Sequence, residues 1–446
     1  MAAHLARKAS PLVVIVGATG TGKSKLAIEL ASRFHGEVVS ADSMQVYRGL
    51  DIITNKVTAA EQTACPHHMI GFVDPLVSTY TVVDFQSQAL PLIKDILLQG
   101  KLPFIVGGTN YYIEALLWDT LLTPKTSTEM SSSAAVTAER ARRIELLKLG
   151  SSELYRRLEE VDPEMACCLH PRDVRKLVRG LQVYEQVGVP WSSLLRRQHE
   201  QPGGGPLSGP LRYPDACVLW LYANQEALDH RLDERVDQML AEGLVEELQS
   251  FHRRYVRAMY DFQQGIFQSI GFKEFHDYLN RPSDCSVQES EKLLQKGIEA
   301  LKLATRRYAR KQYKWVKNRF LQRPRSNLPP VFGLDATDPS QWEKAVLEPA
   351  ISIVESCLQG ETPAVSAINP EPQDHGSKRL RFKCDLCSRI IIGEIQWHAH
   401  LRSKGHRYHV KKNRRKVTEL VKTAEHDSLN ETVELQRPGN GETSQS

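Results

Sequence analysis

The residues most suggestive of chemistry lie in a glycine-rich loop that opens at Gly17 of this 446-residue chain. The loop follows the pattern Gly17-x-x-x-x-Gly22-Lys23-Ser24, typical of loops that bind phosphate through backbone N–H groups. Lys23 supplies a positive charge between phosphate oxygens, and the Ser24 hydroxyl is a suitable ligand for Mg²⁺. We therefore expect a phosphate site here, with a chance match in an ordinary strand-to-helix turn as the alternative. Its predicted residues are Gly17, Ala18, Thr19, Gly20, Thr21, Gly22, Lys23 and Ser24.

A second polar group follows the apolar segment from Glu37 to Ser40, which predicts a strand. Asp42, Ser43 and Gln45 come directly after it, at the edge of a parallel sheet where ligands bind. An acid, a hydroxyl and an amide in this order are able to read the edge of a nucleobase and to accept a proton from it. The alternative is that Asp42 only caps a turn or a helix.

The third group is a set of metal ligands near the carboxyl end of the chain. Cys384 and Cys387 are separated by two residues, His400 follows after twelve more, and His406 after a further five. This spacing is typical of a tetrahedral zinc site with two thiolates and two imidazoles. We therefore predict a structural Zn²⁺ ion in a small finger, with His398 and His409 as competing ligands of poorer spacing.

The elements that must position the first two groups read as α/β structure. The run PLVVIVG predicts a buried parallel strand leading into the loop, and Leu26, Leu30 and Phe34 recur at helical spacing after it. A second apolar strand ends in Gly107-Gly108-Thr109 without a carboxylate. The segment from Met69 to Asp74 reads as a turn. A nucleotide triphosphatase or kinase needs a hydrophobic strand that ends in an acid, and no convincing one is found, so the loop's substrate stays open at this point.

The net charge is +5, but positive charge is concentrated in one segment. No acidic residue occurs between Glu299 and Asp335, a stretch that predicts a helix with Tyr308, Tyr313 and Trp315 among the cations. We expect at least two of these aromatics to be core contacts, and phosphates to be the simplest partners of the cations. The cations are Lys302, Arg306, Arg307, Arg310, Lys311, Lys314, Lys317, Arg319, Arg323 and Arg325.

Composition excludes several classes of protein. No apolar run reaches the roughly 18 to 20 residues that cross a bilayer, so we expect no membrane association. Eight cysteines without a secretion signal favour thiols over a disulfide framework. Arg7 and Lys8, with no acid before Glu29, give the first residues a bias shared with mitochondrial transit peptides, although a frayed basic tail is equally compatible.

The order of several motifs carries a family resemblance. From about Pro11 to about Arg325 the chain resembles the tRNA dimethylallyltransferases, also called tRNA isopentenyltransferases, and the terminal finger makes it similar to their eukaryotic form. The segments that carry the resemblance are GATGTGKSKLA, SADSMQVYRGLDIITNK, HHMIGFVDP, YTVVDF, GGTNYYIEALLW, DERVDQMLAEGLVEE, QSIGFKEF and ATRRYARKQYKWVKN.

The resemblance implies transfer of a dimethylallyl group from its diphosphate to the exocyclic amine of the adenosine immediately 3′ of a tRNA anticodon. In this reading the glycine-rich loop, with Mg²⁺ on Ser24, holds the diphosphate of a prenyl donor. Asp42 accepts the amine proton, Thr109 fixes the base or the donor, and Arg231 or Arg235 stabilises the leaving diphosphate. The base must leave its stack to react, and Gln45 is the expected partner of its exposed edge.

The same resemblance implies that a helical insertion grips the anticodon stem-loop. Its tRNA-binding residues comprise the Asp42 turn, a characteristic insertion helix and a later loop: Asp42, Ser43, Met44, Gln45, Arg175, Lys176, Leu177, Val178, Arg179 and Lys273. The finger resembles matrin-type or double-stranded-RNA-binding fingers, so we expect it to contact the tRNA body, with a protein partner as the alternative. We expect the enzyme to act as a monomer.

The expected fold is α/β: a P-loop-type parallel sheet flanked by helices, with a helical insertion and a small C-terminal zinc finger. The expected divisions are a tail (1–10), a catalytic core (11–119 and 210–330), a tRNA-binding insertion (120–209), a connecting segment with a linker (331–378), the finger (379–412), and a basic then disordered tail (413–446). A nucleotide kinase and a non-catalytic RNA-binding protein are the alternative functions. We expect mitochondrial and cytosolic locations, and KKNRRK, which begins at Lys411, is either a nuclear signal or a further phosphate contact.

Overall fold

The computed structural model describes residues 12–78, 80–120, 133–205, 207–255, 264–323, 325–370 and 380–418, with the side chains of 133–140 and 325 excepted. The expected targeting tail (1–10) and the end of the chain beyond residue 418 lie outside these ranges. None of the helices within them is long and apolar enough to span a bilayer.

The strands and helices follow one another in a largely alternating order. The strands are Val13–Gly17 (β1), Glu37–Ser40 (β2), His67–His68 (β3), Pro103–Val106 (β4), Cys217–Tyr222 (β5), Val331–Asp335 (β6), Arg381–Cys384 (β7) and Arg389–Ile392 (β8). The helices are Lys23–Arg33 (α1), Ala59–Ala64 (α2), Val82–Leu98 (α3), Asn110–Leu117 (α4), Ser133–Lys148 (α5), Gly150–Val161 (α6), Pro163–Cys168 (α7), Val174–Val187 (α8), Trp191–His199 (α9), Gln225–Ala241 (α10), Leu244–Tyr255 (α11), His276–Leu279 (α12), Val287–Arg319 (α13), Glu348–Gln359 (α14) and Glu394–Leu401 (α15).

Strands β1 to β6 form one parallel sheet in the order β3-β2-β4-β1-β5-β6, which confirms the predicted fold class. Alternation along β1 supplies both faces of the sheet. Val13 and Ile15 pack with Leu26 and Leu30 of α1 on one face, whereas Val14 and Val16 belong to the cluster on the other. All five β1 residues are buried, as expected for a parallel strand covered on both sides.

The described residues divide into two compact units. One is drawn from 1–123 and 195–373 and holds the sheet, and the other is drawn from 124–194 and 374–446 and holds α5 to α8 and the finger. The insertion therefore ends earlier than residue 209, the expected boundary. The Gln198 side chain donates a hydrogen bond to the Asp119 carbonyl oxygen at 2.7 Å, and Asn327 donates to the Gly209 carbonyl oxygen at 3.0 Å. These contacts attach the stretch after residue 194 to the sheet unit.

The segment after residue 330 is part of the core, not a connecting segment. Its first residues form the edge strand β6 next to β5, and α14 then packs on the sheet through Ala350, Ile353 and Val354. The expected linker also packs in its first part, because the Ile368 N–H donates to the Val331 carbonyl oxygen at 2.7 Å. A few apolar residues in a polar, proline-rich segment suffice to attach it to an edge strand. The tail is likewise helical over 404–418, so the KKNRRK residues lie on a helix.

The long helix α13 uses several of its cations in ion pairs within the protein, and for these the expectation that phosphates are their partners is corrected. Acids at every fourth position of α10 face cations at every fourth position of α13, and the two helices pack together. The pairs are Asp237 with Lys302, Asp233 with Arg306, and Asp229 with Arg310. Arg319 and Arg323 pair with Glu114.

Glu114 is the centre of a buried charge cluster where α4, the end of α13 and the chain entering the insertion meet. Its side chain is 1% exposed and accepts hydrogen bonds from Arg319 at 2.7 Å and from Arg323 at 2.9 Å. The Arg323 guanidinium lies 3.8 Å from the centre of the Trp118 ring, and burial lowers the pKa of Arg323 to about 10. The carboxylate therefore compensates a cation that has no access to water.

Replacing Glu114 with alanine is expected to lower the free energy of unfolding by about 3 to 5 kcal/mol, because it leaves Arg323 buried without a counter-charge. Urea unfolding followed by tryptophan fluorescence measures the change. Arg48→Ala is the matched control, since its ion pair with Asp74 is exposed and should contribute less than about 1 kcal/mol. Equal effects of the two substitutions would contradict the buried-cluster interpretation.

Candidate active site

The loop of residues 17–24 connects β1 to α1 as predicted, with the first N–H groups of α1 facing it. Gly22 precedes the helix with φ at 88°, and a Cβ atom there would lie 2.7 Å from the Trp342 ring. A side chain at this position is therefore excluded by the backbone conformation and by the packing of Trp342.

A cavity of about 310 Å³, here called the phosphate chamber, opens in front of this loop. Among the eight predicted phosphate residues, those that line it are Thr19, Gly20, Gly22, Lys23 and Ser24. Gly17, Ala18 and Thr21 do not line it. The Thr21 hydroxyl instead donates to the Ala18 carbonyl oxygen at 2.8 Å, so these residues shape the turn.

Lys23 lines the phosphate chamber and is partly buried, and its ammonium group donates to the Ala18 carbonyl oxygen at 2.8 Å. Burial, and then the positive charge of Arg235, lower the pKa of Lys23 to about 8, although Asp42 acts in the opposite direction. A bound anion would raise this pKa again, because it favours the charged form.

The affinity for inorganic diphosphate is therefore expected to fall as pH rises above 8. The free protein loses the Lys23 proton in this range, so binding must take a proton up, at a limiting cost of about tenfold in affinity per pH unit. Calorimetric titration in buffers of different ionisation enthalpy measures both the affinity and the proton uptake. Lys23→Arg, which stays charged, should flatten the profile, and an unchanged profile in that variant would assign the titration to another group.

A second cavity of about 310 Å³, the apolar chamber, adjoins the first. Its apolar walls include Ile53, Val236, Met239 and Ile270. The buried Ser269 hydroxyl also lines it and has no hydrogen-bond partner among the described residues. The residues that line both chambers are Thr19, Asp42, Thr54, Arg235 and Tyr308. The polar groups expected to react therefore stand where a phosphate-binding space meets an apolar one.

Asp42 lies in this shared wall, held by a short turn. Its Oδ1 accepts a hydrogen bond from the Met44 N–H at 2.9 Å, and the Thr109 hydroxyl oxygen accepts one from the Ser43 N–H at 2.9 Å. Thr109 lines neither chamber. The expectation that Thr109 fixes the base or the donor stays a prediction, and in the structure Thr109 holds the turn that carries Asp42.

Gln45 lines the phosphate chamber, and its expected recognition of a base edge stays a prediction. Its amide nitrogen donates to the carbonyl oxygens of Thr54 at 3.1 Å and Asn55 at 2.8 Å, and its amide oxygen accepts from the Ser40 hydroxyl at 2.8 Å. These hydrogen bonds stabilise the loop around residue 54. Ser43 and Met44 line the apolar chamber.

The two candidate arginines, which the sequence could not separate, have distinct surroundings. Arg235 donates to the Thr19 hydroxyl oxygen at 3.1 Å and lines both chambers, and its Nε is buried without a partner among the described residues. Burial lowers the pKa of Arg235 to about 10, whereas Asp42 favours its charged form. Arg231 instead donates to the carbonyl oxygens of Ala336 at 2.8 Å and Thr337 at 3.2 Å. Arg235 is therefore the arginine that faces the chambers.

Two residues of the site lie on α13 and were not predicted from the sequence. Tyr308, which was expected only as an aromatic contact, lines both chambers and donates to the Gly108 carbonyl oxygen at 3.2 Å. Gln312, one turn later, lines the phosphate chamber. The available signal was the pair of polar groups at helical spacing, on the face of a basic helix opposite its exposed cations.

The residues predicted to bind RNA divide by exposure. Arg175 and Lys176 lie exposed at the start of α8, and Lys176 pairs with Asp173 at 2.9 Å. Leu177 and Val178 are 0% and 2% exposed, because they form the face of α8 that is buried in the insertion, so they cannot contact RNA. Lys273, in the sheet unit, is about half exposed.

The predicted zinc ligands meet in the finger. Ligand atoms of Cys384, Cys387, His400 and His406 all lie within 4.8 Å of one another. The His406 Nδ1 is 3.6 and 3.5 Å from the two sulfur atoms, and a tetrahedron with zinc–sulfur bonds of about 2.3 Å and zinc–nitrogen bonds of about 2.0 Å has such edges of about 3.5 Å. The His400 Nε2 is buried without another partner in the described residues. The residues thus fit a structural Zn²⁺ ion.

The apolar contacts of the finger also follow the sequence. Phe382 and Trp397 stack with ring centres 5.2 Å apart. Within the same compact unit, Arg381 of β7 donates to the Tyr155 hydroxyl oxygen of α6 at 2.9 Å. The finger is therefore anchored to the insertion through its first strand.

Comparison with known proteins agrees with this geometry. Residues 45–319 match the family model described as IPP transferase, residues 10–65 match the Isopentenyl transferase model, and residues 381–407 match a zinc-finger double-stranded RNA-binding model. The tRNA dimethylallyltransferase of Mus musculus is 57% identical over 92% of this chain and 88% of its own length, and that of Homo sapiens is 55% identical over 94% and 90%.

A solved structure of a eukaryotic dimethylallyltransferase acting on tRNA superposes with a TM-score of 0.78 at 30% identity, covering 93% of this chain and all of that chain. Because the family model and these relatives together cover the sheet, the loop and the finger, the chain belongs to the tRNA dimethylallyltransferase family.

Proposed function

We propose that this protein transfers the dimethylallyl group of dimethylallyl diphosphate to the N6 amine of the adenosine 3′-adjacent to the anticodon of tRNAs. The observation that carries the proposal is the shared wall of the two chambers, where Asp42 and Arg235 face both spaces. One chamber supplies the groups that bind a diphosphate, and the other supplies a space for a planar, largely apolar base. A transferase needs such an arrangement because donor and acceptor must meet at one point while entering separately.

The phosphate chamber is the proposed donor site. The loop N–H groups, Lys23 and Arg235 would neutralise the charge that develops on the leaving diphosphate, the largest electrostatic contribution available in a dry site. Ser24 lines this chamber, so its hydroxyl group is the ligand that would hold Mg²⁺. The ion would supply further charge to the leaving oxygens. The proposed chemistry does not require an acid at the end of a strand, because no water is activated and no phosphoryl group is moved.

The apolar chamber is the proposed acceptor site. Val236, Met239 and Ile270 offer surfaces against which an extruded base can stack. The unpartnered Ser269 hydroxyl would hydrogen-bond the base, because a buried hydroxyl without a partner carries a free-energy cost that a ligand can remove. Such a contact would favour a base with a suitable donor or acceptor over an apolar group of the same size.

The proposed reaction is a substitution at the first carbon of the prenyl group. The N6 lone pair forms the new carbon–nitrogen bond as the carbon–oxygen bond breaks, and the diphosphate leaves with that bonding pair. The amine then carries an excess proton, which passes to the Asp42 carboxylate. Arg235 and Lys23 remain with the diphosphate, so the groups that stabilise the leaving group and the group that receives the proton act on opposite sides of the transferred carbon.

The proposed tRNA contacts are exposed cations, some in each of the two units. In the second unit these are Arg175 and Lys176 on α8, together with the finger. In the sheet unit, Arg307, Lys311 and Lys314 form an exposed stripe on α13, and no carboxylate of the described residues forms an ion pair with them. Lys314 continues the row of Lys302, Arg306 and Arg310 by one turn, and Arg307 and Lys311 lie in the adjacent row of the helix.

Changing both Lys311 and Lys314 to glutamine is expected to raise the KM for tRNA about tenfold, while the KM for dimethylallyl diphosphate stays within twofold. Each lost phosphate contact should also reduce the salt dependence of tRNA binding, by about 0.7 to 0.9 in log–log slope. Initial rates at several salt concentrations provide both values. The control changes Lys94 and Lys292, which are also exposed, to glutamine. An equal effect in the control would indicate net charge rather than a local contact.

The direct test incubates purified protein with tRNA, dimethylallyl diphosphate and Mg²⁺, and searches the nucleoside digest for N6-isopentenyladenosine by mass spectrometry. A parallel reaction with radiolabelled ATP detects the phosphoryl transfer expected of a kinase. Two outcomes would overturn the proposal. One is tight tRNA binding without formation of N6-isopentenyladenosine, and the other is transfer of labelled phosphate from ATP.

A further inference from the structure

Gln312 is a buried polar residue with both ends of its amide in use. It is 4% exposed on the inner face of α13. Its amide oxygen accepts a hydrogen bond from the Thr19 N–H at 2.8 Å, and its amide nitrogen donates to the Gly108 carbonyl oxygen at 3.0 Å. Thr19 follows β1 and Gly108 follows β4, and these strands are neighbours in the sheet. One side chain therefore joins the loops at the ends of two adjacent strands.

Each of these loops holds one side of the proposed reaction. In the first loop, the Thr19 hydroxyl oxygen accepts the hydrogen bond from Arg235 at 3.1 Å. In the second loop, Gly108 precedes Thr109, whose hydroxyl oxygen accepts from the Ser43 N–H at 2.9 Å and so holds the turn next to Asp42. Gln312 thus connects the group that faces the leaving diphosphate with the group that receives the proton.

Close packing makes this connection stiff. A Cβ atom on Gly108 would lie 2.5 Å from the Gln312 amide nitrogen and 3.0 Å from the Asp42 Oδ2, so both side chains pack against the same glycine. Only a residue without a side chain allows both approaches. A shift of the loop after β4 would therefore move Gln312 and Asp42 together.

We propose that Gln312 is a positioning residue that fixes the separation between the Asp42 carboxylate and the Thr19–Arg235 pair. This inference rests on the proposed transfer reaction. Gln312 contributes no charge and accepts no proton, but it holds the two loops in the one spacing at which donor and acceptor react. An apolar residue of similar size would leave the Thr19 N–H without its partner, at the cost of a buried unsatisfied group.

Two substitutions test the proposal because one removes both hydrogen bonds and the other can form both of them only when its carboxyl group is protonated. Gln312→Met removes both hydrogen bonds and is expected to lower kcat about 100-fold at every pH from 6 to 8.5, since a displacement near 1 Å costs about that much in rate. The KM for tRNA should stay within threefold of wild type. Gln312→Glu introduces a carboxyl that, when protonated, offers one donor and one acceptor as the amide does. When ionised, it repels the Gly108 carbonyl and the diphosphate.

The ratio of kcat between Gln312→Glu and wild type should therefore rise at least tenfold as pH falls from 8 to 6, because burial raises the pKa of a carboxyl. The same ratio for Gln312→Met should not change with pH. A merely structural role would not produce this difference. The matched control is Gln198→Met, which removes another buried glutamine hydrogen bond, to the Asp119 carbonyl oxygen, outside both chambers. It should keep kcat within threefold.

Several outcomes would overturn the assignment: wild-type kcat in Gln312→Met, a loss expressed only in the KM for tRNA, or pH-independent activity in Gln312→Glu. If Gln312→Met fails to fold, the pH comparison in Gln312→Glu still decides. A wild-type protein that forms no isopentenyladenosine would instead overturn the proposed function, so the two failures are distinguishable.

Discussion

Replacement of Asp42 by asparagine is expected to lower kcat for prenyl transfer by about 10³-fold, because positioned general bases contribute about 10² to 10⁴ in rate. Asparagine keeps an oxygen that can accept the Met44 N–H, so the turn that carries residue 42 should stay intact. What it loses is the capacity to receive the amine proton. Single-turnover formation of isopentenyladenosine, with tRNA and donor saturating, measures the effect.

The control for this experiment is Asp74→Asn, which removes an exposed carboxylate paired with Arg48 and should leave kcat within twofold. The affinity for tRNA should remain within a few-fold in Asp42→Asn, since the turn is preserved. A collapse of tRNA binding together with normal turnover per bound complex would assign Asp42 to RNA binding rather than to proton transfer.

Local patterns predicted the first part of the site well. The strand before Gly17, the helix that begins at Lys23 and the strand from Glu37 to Ser40 all occur as expected. Their signals are short-range: branched apolar runs, glycines at turns and apolar residues at helical spacing. The zinc ligands are equally local in spacing, because two residues and five residues separate the members of each pair. Where a function depends on neighbours in sequence, the sequence is sufficient.

Long-range partners were the part that the sequence did not reveal. The cations of α13 were assigned to phosphates because no acid lies near them in the chain, but three of them pair with acids of α10, about seventy residues earlier. The hydrogen bonds of Gln45 were not foreseen either, since its carbonyl partners belong to a loop whose path the sequence does not fix. A polar residue's availability depends on what folds against it.

The boundary of the core was missed for a related reason. The strand β6 is only five residues long and was assigned to the connecting segment, but an edge strand needs only one neighbour to pair with, and β5 provides it. Trp342 in this segment also packs against Gly22 and donates to the Glu29 carboxylate at 2.9 Å. Trp342 thus packs against the glycine-rich loop of residues 17–24, and no local sequence pattern indicates this contact.

Substitution of Arg235 is expected to give the second large effect on kcat. Arg235→Gln should lower kcat by about 10² to 10³-fold, the usual loss when one donor to a developing anion is removed. Its thermal stability should be unchanged or higher, because the substitution removes a buried cation whose Nε has no partner among the described residues. Initial rates at saturating substrates and thermal unfolding on the same preparations provide the two values.

Arg231→Gln should give the opposite pattern, because Arg231 holds the backbone after β6 through the Ala336 and Thr337 carbonyl oxygens rather than facing either chamber. Loss of these charge-assisted bonds is expected to cost about 1.5 to 3 kcal/mol of stability, with kcat within threefold of wild type well below the melting temperature. The two substitutions remove the same side chain one helical turn apart, so each is the control for the other. If Arg231→Gln abolished transfer and Arg235→Gln only lowered stability, the assignment of Arg235 to the leaving diphosphate would be wrong. The positive charge that drives carbon–oxygen cleavage would then have to come from the loop and Lys23 alone.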